Sequence, residues 1–206
     1  QVSMRKRNPK LNRDGEIIST LIEAQSSGIE LSEIELLHQC IFMLNAGHET
    51  STNMLSHGIH EFINNKDQLN SLRENQNYIS SAVEEILRYQ PPIQVNNRIN
   101  KETTLLGGRK IPKGSSVHMI IAAANRDPKQ FSDPNKFLIS RHPNKHLSFG
   151  LGIHVCAGNT LARIEGKVAF LKLINAFSDF NLISKPMLAN RIRFREIEKL
   201  ELELTT

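Results

Sequence analysis

Residues Phe149 to Gly158 read FGLGIHVCAG, and this stretch constrains the fold more than any other part of the chain. Cys156 lies seven residues after Phe149, and glycines occupy positions 150, 152 and 158. Because glycine adopts backbone angles closed to other residues, Gly150 and Gly152 predict a tight turn before the cysteine. A thiolate that binds a metal needs one accessible side and surroundings that stabilise its charge. The stretch therefore predicts a loop that holds Cys156 as a metal ligand, with Phe149 as an apolar wall.

The residues after this loop predict a helix that begins close to the cysteine. From Asn159 to Phe177 apolar residues recur at helical spacing, namely Leu161, Ala162, Ile164, Ala169, Leu171, Leu173 and Ile174. The positive end of such a helix points toward Cys156 and favours its thiolate form. The other cysteine, Cys40, has no such surroundings and is interpreted as a small buried hydrophobe.

The order F-G-x-G-x-H-x-C-x-G resembles the haem-binding loop of the cytochrome P-450 family, the haem-thiolate monooxygenases. The resemblance implies haem b (iron protoporphyrin IX) as the cofactor. It makes Cys156 the iron ligand, whose electron donation favours cleavage of the O–O bond. Phe149, Gly150 and Gly158 would then belong to the cofactor-binding loop, and His154 would bind a haem propionate. A loop histidine with ordinary hydrogen bonds is the alternative for His154.

A second motif, LNAGHETSTN, lies about a hundred residues before the cysteine loop, within the longest predicted helix. Glycine weakens a helix by roughly 1 kcal/mol relative to alanine, and threonine can bend one. An ordinary solvated stretch is one interpretation. The string also resembles the A-G-x-[DE]-T segment of the family's distal helix. That resemblance implies that Ala46 and Gly47 lie against the haem, that Thr50 hydrogen-bonds the bound oxygen, and that Glu49 relays protons.

Two acidic residues compete for Arg88 in AVEEILRYQPP: Glu84 at i,i+4 and Glu85 at i,i+3. Helical periodicity alone does not choose between them. The family signature E-x-x-R matches Glu85 and Arg88, which implies a buried ion pair that supports the cysteine loop. In many relatives a third arginine joins this pair. Lys136 stands where soluble relatives often have arginine, so Arg141 in ISRHP is the expected third member.

Three further groups of residues have expected roles. Arg98, on a predicted strand after Pro91-Pro92, resembles the family arginine that pairs with a haem propionate, although simple exposure is the alternative. Residues 93–97, with Leu44 and Asn45, are implied to line part of the substrate pocket. His57, His60 and Glu61 form the order H-x-x-H-E, which has the wrong register for a helical zinc site. We interpret these three as ordinary residues of a polar helix face.

Other patterns predict a mainly α chain with a minor β-sheet. Helices are expected over 14–27, from a Ser32/Glu35 capping box to about Asn65, over 67–75, and from a Ser81/Glu84 capping box to before Gln90. Short strands and hairpins are expected over 93–118 and 181–204, with a helical turn or two at 122–126. By resemblance, residues 1–206 form a single partial domain, the carboxy-terminal portion of the cytochrome P-450 fold. It comprises the long distal helix, the E-x-x-R helix, the meander, the cysteine loop and the proximal helix, without the amino-terminal half.

Composition narrows the possible partners and location. The chain has 26 basic and 21 acidic residues, a net charge of +5, and no dense basic run, so nucleic acid is not favoured as a partner. It has no apolar run of the roughly 20 residues that a membrane span needs. Two cysteines provide no disulfide framework and fit a reducing cytoplasm. The first residue is Gln1 rather than Met, which favours a processed, truncated or partially sequenced product.

The resemblance implies a soluble bacterial monooxygenase that uses dioxygen to insert one oxygen atom into a small apolar organic substrate. The substrate is expected to belong to secondary metabolism or to be fatty-acid-like. Electrons would come from a ferredoxin or flavodoxin, and Lys145, Arg163 and Lys167 would offer it a basic surface, with a merely solvated face as the alternative. A truncated, non-catalytic haem-binding fragment is the alternative function. Peroxide-driven oxygenation is a third interpretation, although such enzymes usually lack the Glu49-Thr50 pair.

Overall fold

The computed structural model describes residues 1–11, 15–28 and 31–206 of the chain. They form two compact units, Gln1–Glu49 and Thr50–Thr206, and the boundary falls inside the longest helix. The expected start of the first amphipathic helix, at Asp14, lies outside the described residues.

The first unit is helical. It contains α1 (Val2–Arg7), a 3-10 turn (Pro9–Leu11), α2 (Ile17–Ser26) and the beginning of α3 (Glu33–Asn64). Buried side chains form its core, with partly buried ones packed against them: Val2, Ile22 and Leu36, then Ile18, Leu21, Leu31 and Cys40. Cys40 is thus a partly buried member of an apolar cluster, consistent with its interpretation as a small hydrophobe.

The expected capping box at the start of α3 is confirmed. The Glu35 carboxylate accepts hydrogen bonds from the Ser32 backbone N–H at 2.8 Å and from its hydroxyl at 2.7 Å. In return, the Glu35 N–H donates to the Ser32 hydroxyl at 3.2 Å. These bonds satisfy groups that a helix start leaves without intrahelical partners.

The second unit contains the rest of α3 together with α4 (Lys66–Glu74), α5 (Ile79–Tyr89), α6 (Ile121–Ala124) and α7 (Asn159–Ala176). Its core combines side chains of these helices with others from the segment before the cysteine loop and from the carboxy-terminal tail: Met54, Phe62, Leu69, Leu72, Ala82, Val83, Ile86, Leu87, Phe137, Ile139, Phe170, Ile174 and Phe180. At Gly58, α3 and α7 approach closely, because a Cβ there would lie 2.2 Å from Cζ of Phe170. The long helix, the helix before Pro91 and the helix after the cysteine are confirmed.

The strands of the second unit are short and antiparallel. β1 (Val95–Ile99) pairs with β4 (Ser116–Ile120), and β2 (Thr104–Leu106) pairs with β3 (Arg109–Ile111). In the tail, β5 (Asp179–Leu182) pairs with β8 (Leu202–Thr205), and β6 (Met187–Leu188) with β7 (Ile197–Lys199). The expected mainly α architecture with a minor β component is confirmed.

Two details of the sequence interpretation are wrong. Ser81 and Glu84 do not cap a helix, because α5 already begins at Ile79 and the Ser81 hydroxyl donates to the Tyr78 carbonyl at 3.0 Å. His57 and Glu61 do not lie on a polar face, because they are only 2% and 5% exposed. Their polar character in the sequence predicts exposure, but both side chains are buried against hydrogen-bonding partners from distant segments of the chain.

Those partners explain how polar groups are accommodated at this end of α3. His57 Nε2 contacts the Arg195 carbonyl, and Glu61 accepts a hydrogen bond from the Gln90 amide at 2.5 Å. Burial lowers the pKa of His57, which keeps the ring neutral. Burial raises the pKa of Glu61, but hydrogen bonds to His60 and Gln90 outweigh this effect and leave the pKa lowered.

Candidate functional site

Backbone hydrogen bonds close the cysteine loop on itself. The Cys156 N–H donates to the Phe149 carbonyl at 2.8 Å, and the Gly150 N–H donates to the Leu147 carbonyl at 2.9 Å. Gly150 and Gly152 have φ angles of 71° and 76°, in the left-handed region that other residues rarely adopt. The two glycines therefore make possible the turn that brings Phe149 and Cys156 together.

The start of α7 holds the other side of Cys156. Gly158 is the N-cap of α7, and the helix begins at Asn159, three residues after the cysteine. The Cys156 carbonyl accepts hydrogen bonds from the Asn159 N–H at 3.3 Å and from the Asn159 side-chain amide at 2.6 Å. A Cβ at position 158 would lie 3.9 Å from Cys156 Sγ, so glycine leaves open space beside the sulfur.

The surroundings of Cys156 fit a flat apolar cofactor. The thiol is half-buried, and apolar side chains of the same loop face outward: Leu151 is 83% exposed, Ile153 96% and Val155 52%. Across residues 1–11, 15–28 and 31–206, no group of three or more His, Cys, Asp or Glu side chains is placed to hold a metal ion. An iron porphyrin brings most of the ligands of its metal with it, so a single thiolate is enough to hold such a group.

The segment that precedes the cysteine loop is anchored by a buried ionic cluster on α5. Arg88 donates to both oxygens of Glu85, from Nε at 2.7 Å and from a terminal nitrogen at 2.8 Å. Arg141 Nε lies 3.1 Å and 3.0 Å from the same two oxygens. Glu85 also accepts bonds from the Leu138 N–H and the Asn144 amide, at 2.9 Å and 3.1 Å. The Glu85 carboxylate is thus enclosed by donors, which offsets the cost of its burial.

The irregular segment 125–146, called the meander below, supplies backbone carbonyls that accept hydrogen bonds from the remaining donors of the two arginines. Arg88 donates to the carbonyls of Asn125, Pro134 and Lys136 at 2.8–3.0 Å. Arg141 donates to the carbonyls of Ser132, Asp133 and Lys136 at 2.6–3.2 Å. The Lys136 side chain instead pairs with Asp133 at the surface. Arginine forks from α5 and the meander therefore fix an otherwise irregular segment.

Glu84, the competitor for Arg88 in sequence, has different partners. Arg163 of α7 donates to its two oxygens at 2.6 Å and 3.0 Å, and His146 Nε2 lies 3.1 Å from one of them. Burial raises the pKa of the Glu84 carboxyl, but hydrogen bonds from His146 and Arg163 and the positive charge of Arg163 outweigh this effect and lower the pKa to about 2. Arg163 is therefore engaged by Glu84, which also raises the pKa of Arg163.

Asn125 is a buried residue of the site that sequence reasoning missed. Its amide oxygen accepts from the Leu147 N–H at 2.8 Å, and its amide nitrogen donates to the Ser148 hydroxyl at 2.9 Å. Ser148 in turn donates to the Leu87 carbonyl at 2.7 Å. The position of Asn125 just before a turn-rich segment was the available signal, but the sequence does not indicate a partner 22 residues away.

The distal motif lies on α3 at the boundary between the two units. Ala46 and Gly47 are exposed, whereas Glu49 and Thr50 are half-buried. The next residue, Ser51, donates its hydroxyl to Glu165 on α7 at 2.6 Å. This contact, also missed in the sequence, ties α3 to α7 one residue after Thr50. The roles of Ala46, Gly47, Glu49 and Thr50 toward oxygen stay predictions.

Arg98 and His154, the two residues expected to bind propionates, are both exposed. Arg98 lies on β1 and donates to the carbonyl of its neighbour Asn97 at 2.8 Å. Of the expected basic surface, Lys145 is exposed, Lys167 is half-buried, and Arg163 is paired with Glu84. Within the part of the chain that the structure describes, no helix is long and apolar enough to cross a membrane.

Comparison with known proteins shows the family to which the chain belongs. A family model described as cytochrome P450 matches residues 2–186. The putative cytochrome P450 YjiB of Bacillus subtilis (strain 168) is 40% identical over 177 residues, which are 86% of this chain and 45% of YjiB. The biotin biosynthesis cytochrome P450 of the same strain is 40% identical over 181 residues, 88% of this chain and 45% of that protein.

Solved structures agree in fold. P450BioI in complex with hexadec-9Z-enoic acid ligated acyl carrier protein has a TM-score of 0.91 at 38% identity, covering 98% of this chain and 51% of that one. The cytochrome P450 PksS of the Bacillus subtilis 168 bacillaene polyketide synthase also has a TM-score of 0.91, at 34% identity, covering 100% and 53%. The chain therefore spans about half the length of the relatives it matches.

Proposed function

Since this chain belongs to the cytochrome P450 family, we propose that it provides the cysteine-ligated side of a haem-thiolate monooxygenase. The observation that carries the proposal is the position of Cys156: half-buried, within a glycine-formed loop, at the start of α7. Haem b is the cofactor of the family, and when bound it supplies the redox chemistry that activates dioxygen.

The residues of this chain would hold the cofactor in the following way. Cys156 would supply the thiolate ligand, and the half-buried Phe149 would provide an apolar wall at the start of the loop. Exposed Leu151 and Ile153 offer apolar contact to a flat ring. Arg98 and His154 are the proposed partners of the propionates, because both are exposed and carry hydrogen-bond donors.

On the oxygen side, we assign proton handling to the half-buried pair Glu49 and Thr50. The Thr50 hydroxyl would act as a hydrogen-bond donor on the oxygen side, and the Glu49 carboxyl would pass protons inward from solvent. Ala46 carries only a methyl group and Gly47 has no side chain, so these positions would leave room for dioxygen. The fixed contact between Ser51 and Glu165 supports this stretch of α3 at its junction with α7.

The proposed substrate is a small apolar organic molecule of fatty-acid-like or polyketide-like chemistry, oxidised with electrons from a ferredoxin or flavodoxin in the cytoplasm. Similarity supports this class: one relative acts in biotin biosynthesis by its name, another in polyketide biosynthesis, and a structural neighbour was solved with an acyl chain on a carrier protein. The exposed side chain of Lys145 and the half-buried Lys167 remain available for an acidic donor.

The haem-ligand proposal is tested by Cys156→Ala, with Cys40→Ala as the matched control. We expect Cys156→Ala to abolish the long-wavelength absorption band of the reduced carbon-monoxide complex, because that band requires a thiolate ligand. Cys40→Ala should retain the band, since Cys40 belongs to an apolar cluster. A normal band in Cys156→Ala would refute the proposal.

Oxygen chemistry is tested by Thr50→Ala, with Thr52→Ala on the exposed part of the same helix as the control. We expect Thr50→Ala to consume reductant while releasing peroxide in place of product. Unchanged coupling between oxygen consumed and product formed would refute the role of Thr50. Haem binding without any coupled turnover in the native protein would favour the non-catalytic alternative.

A further inference from the structure

Glu84 connects three elements that meet beside Cys156. It lies on α5, and both of its carboxylate oxygens are engaged by Arg163 of α7. His146, from the segment that enters the cysteine loop, contacts one of the same oxygens at 3.1 Å. The His146 side chain is only 3% exposed, so its side of this contact is shielded from water, whereas the Glu84 and Arg163 side chains are 25% and 33% exposed.

A continuous path of hydrogen bonds leads from Glu84 to the backbone of Cys156. Arg163 donates from a terminal nitrogen to the amide oxygen of Asn159 at 2.8 Å. The amide nitrogen of Asn159 then donates to the Cys156 carbonyl at 2.6 Å. Arg163 can only donate and the Cys156 carbonyl can only accept, so the Asn159 amide makes both hydrogen bonds in one orientation alone.

A second path reaches the entry side of the loop. His146 Nδ1 accepts a hydrogen bond from the Ser148 N–H at 3.2 Å, so Nε2 carries the proton that Glu84 accepts. The Arg163 guanidinium also lies over the ring of Phe149, 4.5 Å from its centre. Since the Phe149 carbonyl accepts the Cys156 N–H, both ends of the loop depend on the same carboxylate.

We propose that Glu84 is a positioning residue for Cys156. Its carboxylate holds Arg163 and His146, and through Asn159 and Phe149 it sets the orientation in which the sulfur meets the haem iron. This inference rests on the function proposed above. The two adjacent acids of α5 then have different roles: Glu85 anchors the meander, and Glu84 orients the cysteine loop.

The first test measures Cys156 directly and does not require haem. The protein, expressed as its gene encodes it, is treated with iodoacetamide, and mass spectrometry gives the alkylation rate of Cys156 relative to Cys40. We expect Glu84→Gln to raise this ratio about tenfold, because an amide cannot hold the Arg163 fork as a charged acceptor does. The matched control Glu201→Gln, which breaks an exposed ion pair with Lys199, should leave the ratio unchanged.

The second test uses the haem-loaded protein and a spectroscopic readout. Glu84→Gln and Arg163→Lys should each convert part of the reduced carbon-monoxide complex from the thiolate-ligated to the thiol-ligated form. Because the two residues act on one path, the double variant should convert no more than the stronger single variant. Additive effects of the two changes would contradict a shared path.

Other outcomes also decide the matter. An unchanged ratio of the Cys156 to the Cys40 alkylation rate in Glu84→Gln would overturn the inference. This holds even if both rates rise, because equal acceleration indicates general loosening of the protein. If Glu84→Gln does not fold, Asn159→Ala tests the same path and should likewise raise the ratio; no change would contradict the proposal. If the native protein bound no haem while Glu84→Gln still raised the ratio, the proposed function would fail and the positioning role would stand.

Discussion

At the scale of single residues, arginine geometry determines which side chains are replaceable. Arg141 contacts both oxygens of Glu85 and three backbone carbonyls, all in a buried cluster. A lysine carries the same charge but has a single nitrogen, which cannot reach two carboxylate oxygens and several carbonyls together. The shape of the guanidinium, in addition to its charge, holds the meander.

Arg141→Lys should therefore destabilise the protein by about 2–4 kcal/mol, as expected for breaking part of a buried ionic cluster. Urea unfolding measures this effect. Lys136→Ala is the control: its side chain is exposed and pairs with Asp133 at the surface, so its loss should cost less than about 1 kcal/mol. Equal effects of the two changes would contradict the proposed importance of the fork.

The lowered pKa of Glu84 predicts a defined pH dependence. A carboxyl whose pKa falls to about 2 on folding stabilises the native state above its ordinary value near 4.5, and this contribution is lost as the pH falls toward 2. Glu84→Gln should thus be less stable than the native protein at pH 7, with a difference that shrinks between about pH 4.5 and 2. Urea unfolding at several pH values tests this. A stability difference between Glu84→Gln and the native protein that stays constant from pH 7 to pH 2 would contradict the assignment.

At the scale of elements, close packing of α3 on α7 depends on one glycine. The Cβ of an alanine at position 58 would lie 2.2 Å and 2.7 Å from ring atoms of Phe170 and 3.0 Å from Ile86. The Phe170 ring is buried in the core and packs edge-on against Phe62 at 5.7 Å, so it has little room to move. Gly58 is therefore a requirement of helix packing.

Gly58→Ala should destabilise the protein by about 1–3 kcal/mol through overpacking. Gly47→Ala, in the same helix, is the matched control. Among the described residues nothing outside the helix lies within 4 Å of a Cβ there, so the better helix propensity of alanine should stabilise the haem-free protein by up to about 1 kcal/mol. Thermal unfolding measures both, and a stabilising Gly58→Ala would contradict this packing.

At the scale of the whole molecule, both units expose large apolar side chains. Phe42 and Leu44 are 64% and 73% exposed in the first unit, and Leu151, Ile153 and Ile192 are 83%, 96% and 85% exposed in the second. Exposed apolar surface of this extent favours association with a cofactor, with further protein or with other copies. The surroundings of Cys156 are thus the part of the second unit most suited to being covered.

The 206-residue chain expressed alone should consequently self-associate and bind haem weakly. Light scattering and a haem titration measure the two properties. A double variant, Leu151→Ser with Ile153→Ser, should scatter less, whereas the exposed-face control Lys110→Ser should not. A monomeric chain that melts cooperatively and shows the thiolate band of the reduced carbon-monoxide complex would contradict this expectation.

Features that depend on short-range backbone geometry could be predicted from the sequence alone. The glycines around Cys156, the Ser32/Glu35 capping box and the end of α5 before Pro91 follow from backbone geometry within a few residues, and the structure contains each of them. The family, and with it the mainly α fold, followed from the order of such local motifs.

The burial of polar residues and the identity of their partners could not be predicted in this way, because both depend on tertiary packing. Helical periodicity leaves Glu84 and Glu85 equally able to reach Arg88, yet Glu84 pairs with Arg163, 79 residues away. It likewise predicts that His57 lies on a polar helix face, although His57 is buried and contacts a carbonyl 138 residues away. The physical reason is that burial and partner choice are set by which surfaces meet, and a pattern along one helix carries no record of the surface packed against it.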